Sequence, residues 1–507
     1  MSQKRLGILI TYLNLIMGMA VNIFITPFLI SSLGDVDYSL YKVMQSFAGP
    51  LSMFHLGIST IVTRCIVQCG SQDEHKKREK QNTIALALLA SCMMSLLVFV
   101  AGIVMCMAIP NIYGKSYSAE NIVLAQKVFL VFLGSTIFHM LTDSFSGCLV
   151  GHEKFTVSST IQLCRTVLKT LLWVMLLKMG IGVLGVASVD LVISAATFLF
   201  SMGYTTVVLH ESPRLYRLDI KVLIEMVAFG AAILLQAIVN QVNNNVDIMI
   251  LGAFVTDKSV ITMYSSALAI YAIYNSLISV VANFFLPQAT RLVHQNASGD
   301  EITDFVISPG RFQAVLAVAC ILGFALFGQN FIAVWIGDKY GDAYWITLML
   351  MIPVTIPLVE NAMISILDAA LKRIYRSVTL VGMAILNVGV SICLVGILGF
   401  WGPVIGTVAS LIVGHGFLMN MYYARTFKLQ VGRMFRSIFK GILPAGLAAS
   451  VLCLPMALFL PDTLVFFLVK CVGFALLYGV FLFSFGLNTA EKNTVQTILK
   501  IKHRKSS

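Results

Sequence analysis

An all-α polytopic membrane protein of about fourteen spans is the fold the sequence predicts, and three observations predict it. Of 507 residues, 58% are hydrophobic and 11% charged, roughly half the charged share of a soluble domain. Apolar runs long enough to cross a bilayer, at ~20 residues each, recur along the whole length. Basic residues alternate between rich and poor connections, as loops on opposite sides of a membrane do.

The first run, 6 to 30, is too long for a signal-peptide core and lacks a small-residue cleavage site after it, so it reads as a retained span. The second, 39 to 64, follows LGDVDY and ends at Thr63-Arg64, ahead of the basic KKREK segment at 76 to 80. Spans at 83 to 109 and 122 to 150 follow, separated by a short polar stretch. A fifth at 156 to 179 and a sixth at 182 to 209 are divided only by Gly180 to Gly182. The seventh, 221 to 254, is the longest run and holds the polar stretch NQVNNNVD; the eighth is 260 to 287. Spans at 311 to 335, 343 to 369, 376 to 398 and 401 to 424 complete twelve, and two more at 441 to 460 and 464 to 486 precede a basic tail.

An even number of spans puts both termini on one side. That side collects 26 of the 35 basic residues, including the five from Arg425 to Lys440, and the positive-inside tendency makes it cytoplasmic. The net charge of +12 is thereby explained by orientation and calls for no nucleic acid. Ten scattered cysteines have neither metal-ligand spacing nor an extracellular pairing pattern, and are expected to be free, buried thiols.

The chain also repeats at an offset near 221 residues. Val183-Leu184-Gly185-Val186-Ala187-Ser188 opens the sixth span and Val404-Ile405-Gly406-Thr407-Val408-Ala409 the twelfth; Thr63-Arg64 ends the second and Thr290-Arg291 the eighth; Leu33-Gly34 follows the first as Leu251-Gly252 closes the seventh. Six spans separate the copies, so both halves share one topology, a parallel repeat. The expected organisation is a six-helix lobe over 1–209, a second over 210–424, and an extension over 425–507 with two helices and the basic tail.

Nucleotide-binding glycine loops, HExxH and GxSxG are absent from the sequence, so no hydrolytic enzyme, cofactor or metal is expected. What remains is a set of costly intramembrane polar residues. Gln236, Asn240, Asn243, Asn244 and Asp247 fall within an arc of ~100° on one helix face, with Glu225 on the same face. Such a stripe either lines a hydrated cavity or bonds neighbouring helices; five polar groups on one face favour the cavity. Arg165 and Lys169, one turn apart in the fifth span, lie roughly 13 and 20 Å deep at ~1.5 Å per residue, with Ser158 and Gln162 continuing their face. A cation there costs about 2.5 to 3.5 kcal/mol, so either built-in anions, Asp143 and Asp190, neutralise the pair, or an anionic substrate does. An arginine fork and a lysine point charge suit phosphate oxygens. Arg64 and Arg291, at equivalent ends of spans two and eight, form a candidate basic mouth, and Glu360 with Asn361, mid-span in the tenth helix, a candidate cation or proton site. Lone His139 and His415 read as packed polar residues, and Asn296-Ala297-Ser298, a glycosylation pattern, falls in a cytoplasmic loop.

The 6 + 6 + 2 arrangement, LGDVDYSLYKVMQSFAGPLSMFHLGIST and DIMILGAFVTDKSVITMYSSA together resemble the polysaccharide-transport branch of the MOP exporters, the Wzx-like oligosaccharide flippases, with MurJ and the MATE exporters more distant. The resemblance covers essentially the whole chain. It implies an inverted V of two lobes around a cationic cavity, and alternating access that carries an undecaprenyl-diphosphate-linked oligosaccharide from the inner to the outer leaflet of a bacterial cytoplasmic membrane. On that reading Arg165, Lys169, Arg64 and Arg291 meet the diphosphate; Gln162, Gln236, Asn240, Asn243 and Asn244 face sugar; Asp247, Glu225, Glu360 and Asp143 serve gating or ion coupling. The implied partners are the lipid-linked substrate, membrane lipids and polysaccharide polymerase machinery, with the protein itself a monomer. The chain does not match the arginine set of lipid II flippases, which counts against a peptidoglycan role. A MATE-like cation-coupled antiporter, the other alternative, would favour carboxylates over Arg165 and Lys169 at the cavity centre.

Overall fold

In the computed structural model the described residues are 3–55, 58–68, 74–220, 224, 239, 241, 245–279, 285–489 and 491–493. All regular structure among them is helical. Eleven helices among the described residues are long and apolar enough to cross a membrane, or twelve if the bent pair α11 (Ala343–Val359) and α12 (Ala362–Ala369) is one span. The expected seventh span lies largely outside the described residues. The chain is a multi-pass helical membrane protein, since only helices satisfy their own backbone groups in lipid.

The helices form two compact units, Met1–Ser265 with Ser391–Pro403, and Ser266–Val390 with Val404–Ser507. In the first, α1 (Gln3–Ala48) is two helices joined at Gly34, whose φ of 71° is a conformation an L side chain resists. The two arms run antiparallel along α5 (Phe155–Lys178): Thr11 meets Ser159 near the start of α5, whereas Tyr41 meets Trp173 near its end. One 43-residue apolar segment thus makes two passes. A 3-10 stretch, Gly49–His55, leads to the short α2 (Ile58–Gln68), so the expected second span is broken instead of continuous. The helix α3 (Glu74–Tyr113) starts nine residues before its apolar run and carries the KKREK segment as a helix; apolar runs report the membrane-embedded part of a helix and miss its wet end.

At the centre of the first unit, α4 (Ala119–Gly151) packs on α1, α2, α3 and α6 (Val183–Gly203). Gly147 and Gly151, one turn apart, let α2 lie directly against α4, where a side chain would strike Ser59 and Ile66. Thr63 Oγ1 uses that approach to donate to the Gly147 carbonyl at 3.0 Å. Further on, α7 (Asn245–Phe254) precedes α8 (Lys258–Ser279).

In the second unit α10 (Gly299–Ile336) is the central helix and packs on α11, α16 (Val431–Phe439), α17 (Ile442–Phe459) and α18 (Leu464–Phe481); α13 (Arg373–Leu398), α14 (Trp401–Leu411) and α15 (Asn420–Phe427) lie between α12 and α16 in the chain. It begins twelve residues before its apolar run, because Ser298 and Glu301 form a capping box that satisfies the first backbone donors. The basic connection 425–440, expected as a loop, contains amphipathic α16: Met434 and Ile438 are buried, while Arg433 on the other face pairs with Asp300 at 3.2 Å and Asp304 at 2.6 Å. Arg311, expected as a loop cation, is buried and tied to the C-terminal extension. It donates to Glu491 at 2.7 and 3.1 Å and to the carbonyls of Ser437, Lys440 and Gly486 at 2.7, 3.0 and 2.8 Å. Nine of the cysteines are free, but Cys92, Cys164 and Cys393 are exposed, contrary to the expectation of burial, because they sit on outward apolar helix faces.

Candidate functional site

The charged site lies in the first unit, where α5 faces α4, α6 and the second arm of α1. Spacing of one turn on α5 does put Arg165 and Lys169 on a common face, but their partners differ. Lys169 Nζ is 2.5 Å from Asp190 Oδ1 of α6 and stands 4.4 Å from the centre of the Trp173 ring. The ring is held in turn by its indole N–H donating to the Val186 carbonyl at 3.0 Å. Asp190 is buried, and its second oxygen, Oδ2, accepts no hydrogen bond. Arg165 instead lies against the His139 imidazole of α4, with Nη1 3.3 Å from Nδ1 and Nη2 in contact with Nε2. The ring is further placed by Ser194 Oγ, 3.1 Å from Nε2, and Ser194 is bonded to Ser135 at 2.9 Å.

A neutral imidazole has one acceptor nitrogen, and a guanidinium has five donors, so His139 orients Arg165 without neutralising it. Among the described residues no carboxylate lies within ion-pairing distance of Arg165. The two alternatives left by the sequence therefore meet at one carboxylate: Asp190 pairs directly with Lys169 and lies within electrostatic reach of Arg165, which has no carboxylate of its own in ion-pair contact among the described residues.

Sequence reasoning missed a third cation. Lys42, on the second arm of α1, is within electrostatic reach of Lys169 and lies 5.5 and 5.9 Å from the Tyr38 and Tyr41 rings, with no carboxylate in ion-pairing distance among the described residues. The available signal was a lysine eight residues past Gly34, inside an apolar span.

The other expected site residues disperse. Gln162 leaves the Arg165 face and accepts from Asn14 Nδ2 of α1 at 3.2 Å, and Thr166 Oγ1 donates to Asn14 Oδ1 at 3.4 Å; with Thr11 and Ser159 this is a polar ladder that joins two helices. Asp143 is half-buried on α4, one turn beyond His139. Arg64 on α2 and Arg291 on α9 (Leu286–His294) are exposed. Asp247 is buried and accepts from Tyr264 Oη at 2.6 Å, the bond of a helix-stabilising carboxylate. In the second unit Glu360 sits buried at the 43° bend between α11 and α12, accepting from Asn420 Nδ2; Asn361 is at the same bend. Glu225, Gln236, Asn240, Asn243 and Asn244 lie outside the described residues.

Each unit also carries an apolar cavity. In the second it measures 540 Å³, between α8, α10, α11 and α18, and is lined by apolar and aromatic side chains with no charge. In the first it measures 490 Å³, between α5 and α6, and its wall includes Arg165.

The fold and site are those of a multi-pass helical membrane protein with three cations, Lys42, Arg165 and Lys169, and one buried carboxylate, Asp190, among the described residues of its first unit. The profile of the polysaccharide biosynthesis protein family matches residues 6–293, more than half of the chain, and the chain belongs to that family. No curated protein sequence matches it significantly. The fold is similar to that of the lipid II flippase MurJ in an inward closed conformation, at a TM-score of 0.73 and 15% identity over 94% of this chain and 97% of that one. It is similar also to an inward-facing multidrug resistance MATE transporter of the MOP superfamily, at 0.61 and 15% over 83% and 98%, and to a eukaryotic MATE transporter, at 0.55 and 13% over 85% and 100%. The chain shares its fold with these three proteins.

Proposed function

We propose that this protein is a flippase for a lipid-linked oligosaccharide whose head is joined through a diphosphate, moving it from the cytoplasmic to the outer leaflet for surface polysaccharide synthesis. The observation that carries this reading is Arg165, a cation inside the membrane-spanning bundle oriented by His139, which shares the single carboxylate Asp190 with Lys169 and has no ion-pair contact of its own among the described residues. Lys42 adds a second positive charge, and Lys169 with Asp190 adds an ion pair. Moving a dianion through lipid without such groups costs tens of kcal/mol by Born estimates. Fixed cations at depth replace part of the lost hydration.

Chemistry follows from the arrangement. The Arg165 fork donates two hydrogen bonds to phosphate oxygens, and Lys42 contributes a point charge. Lys169 joins them only if the diphosphate displaces Asp190. The asparagine stripe Asn240, Asn243, Asn244 with Gln236 supplies amide donors and acceptors to sugar hydroxyls. The two six-helix lobes, 1–209 and 210–424, alternate access around that charge, and Arg64 and Arg291 attract the head at the basic, cytoplasmic face. An inside-negative potential favours outward movement of an anion by ~2.3 kcal/mol per charge per 100 mV.

The test is a lipid analysis of cells lacking the protein. A diphosphate-linked oligosaccharide should accumulate on the cytoplasmic leaflet, relieved by the wild-type chain and not by Arg165→Ala. Sensitivity to cationic dyes without accumulation would overturn the reading in favour of an antiporter.

A further inference from the structure

The apolar groove between α5 and α6 holds a cation in its wall, and the groove of the second unit does not. We infer that the α5–α6 groove is the docking site for the polyprenyl chain of the substrate, next to the diphosphate on Arg165; this rests on the flippase reading. A prenyl diphosphate is an anion at the end of a long branched apolar chain, and while its head crosses, its tail must stay in an apolar environment. A groove apolar along its length with a guanidinium in its wall has that distribution of chemistry. Its rims, Leu168 and Phe200, are 50% and 55% exposed, as on a surface that meets lipid. Thr160 also lines it and offers a hydroxyl to the remaining phosphate oxygens. The groove of the second unit, lined by Tyr274, Phe324, Phe474 and Tyr478, offers aromatic surface and no charge to the head.

Native cysteines report on both grooves: Cys164 lines the first, Cys320 and Cys471 the second. The purified full chain in detergent is treated with N-ethylmaleimide, with and without farnesyl diphosphate, and the alkylation rate of each cysteine is read by peptide mass spectrometry. Farnesyl diphosphate should slow alkylation of Cys164 about tenfold, while farnesol and inorganic pyrophosphate should not, and Arg165→Gln should abolish the protection. Ala196→Trp, which fills the groove and leaves Arg165 in place, should abolish it too, and serves if the arginine variant does not fold. Equal protection by farnesol, or by phosphatidylglycerol in place of farnesyl diphosphate, would show a general lipid position and overturn the assignment. Protection of Cys320 and Cys471 instead would place the tail in the second unit, overturning the groove and sparing the flippase. Farnesyl diphosphate that protects no cysteine overturns the groove as well, and the cellular lipid analysis then decides whether the flippase reading fails with it.

Discussion

Arg165 and Lys169 are alike in sequence and unlike in environment, and substitutions should separate them. Charge-assisted hydrogen bonds are worth ~1.5 to 3 kcal/mol, so Arg165→Gln should lower translocation roughly ten- to a hundredfold with near-normal thermal stability. Lys42→Met should lower it less, since a point charge lacks the fork. At Lys169 the first effect should be on stability. Asp190→Asn leaves a largely buried lysine unpaired and should cost about 3 kcal/mol, read as a drop in the thermal unfolding midpoint. Lys169→Met combined with Asp190→Asn should recover most of it. A single Asp190→Asn variant as stable as wild type would contradict the pairing. None of this partition was visible in the sequence, where Asp143 and Asp190 were equally available; the choice depends on which face of α6 meets α5, which a one-dimensional period does not encode. Gln162 was misplaced for the same reason, since Asn14, its partner, is 148 residues away.

At the scale of elements, helix ends account for most departures from the apolar pattern. The capping box at Ser298 starts α10 well outside its apolar run, and Ser298→Ala should cost about 1 kcal/mol, seen as faster amide exchange in residues 299–303 and unchanged exchange in the apolar part. The Arg311 clasp binds the C-terminal extension through Glu491. Burial raises the carboxyl of Glu491, but hydrogen bonds from Arg311 and the Asn488 amide, together with the Arg311 charge, bring it below its ordinary value of 4.5. A carboxyl lowered on folding stabilises the folded form above its ordinary value and loses that contribution as pH falls through the lowered one. Exchange protection of residues 482–489 should therefore weaken below about pH 4.5 in wild type and be weak and pH-independent there in Glu491→Gln. The same pH profile in both would contradict the clasp. The sequence displayed Arg311 only as one more basic residue on a basic side, because its five hydrogen bonds go to four residues more than a hundred positions away, Ser437, Lys440, Gly486 and Glu491.

For the whole molecule, fold class was legible because bilayer thickness imposes a length that a single sequence reveals, and the family was legible because its loose motifs span the chain. The turn at Gly34 was half legible: two runs were expected, and the structure joins them in one helical element. Of the polar stretch NQVNNNVD, Asn240, Asn243 and Asn244 are known from the helical period alone, whereas Asp247 is held by Tyr264. What carries the flippase proposal is the excess of positive charge inside the first unit, and that excess becomes a mechanism only if a prenyl-diphosphate head crosses the membrane with it. The most direct measurement is reconstitution of the purified protein into vesicles that carry a prenyl-diphosphate-linked saccharide on one leaflet, followed by digestion with a membrane-impermeant glycosidase. Wild-type protein should expose the sealed half of the saccharide within minutes, and Arg165→Gln vesicles should expose it roughly ten- to a hundredfold more slowly. Equal protection with and without wild-type protein, under an imposed inside-negative potential, would contradict the account.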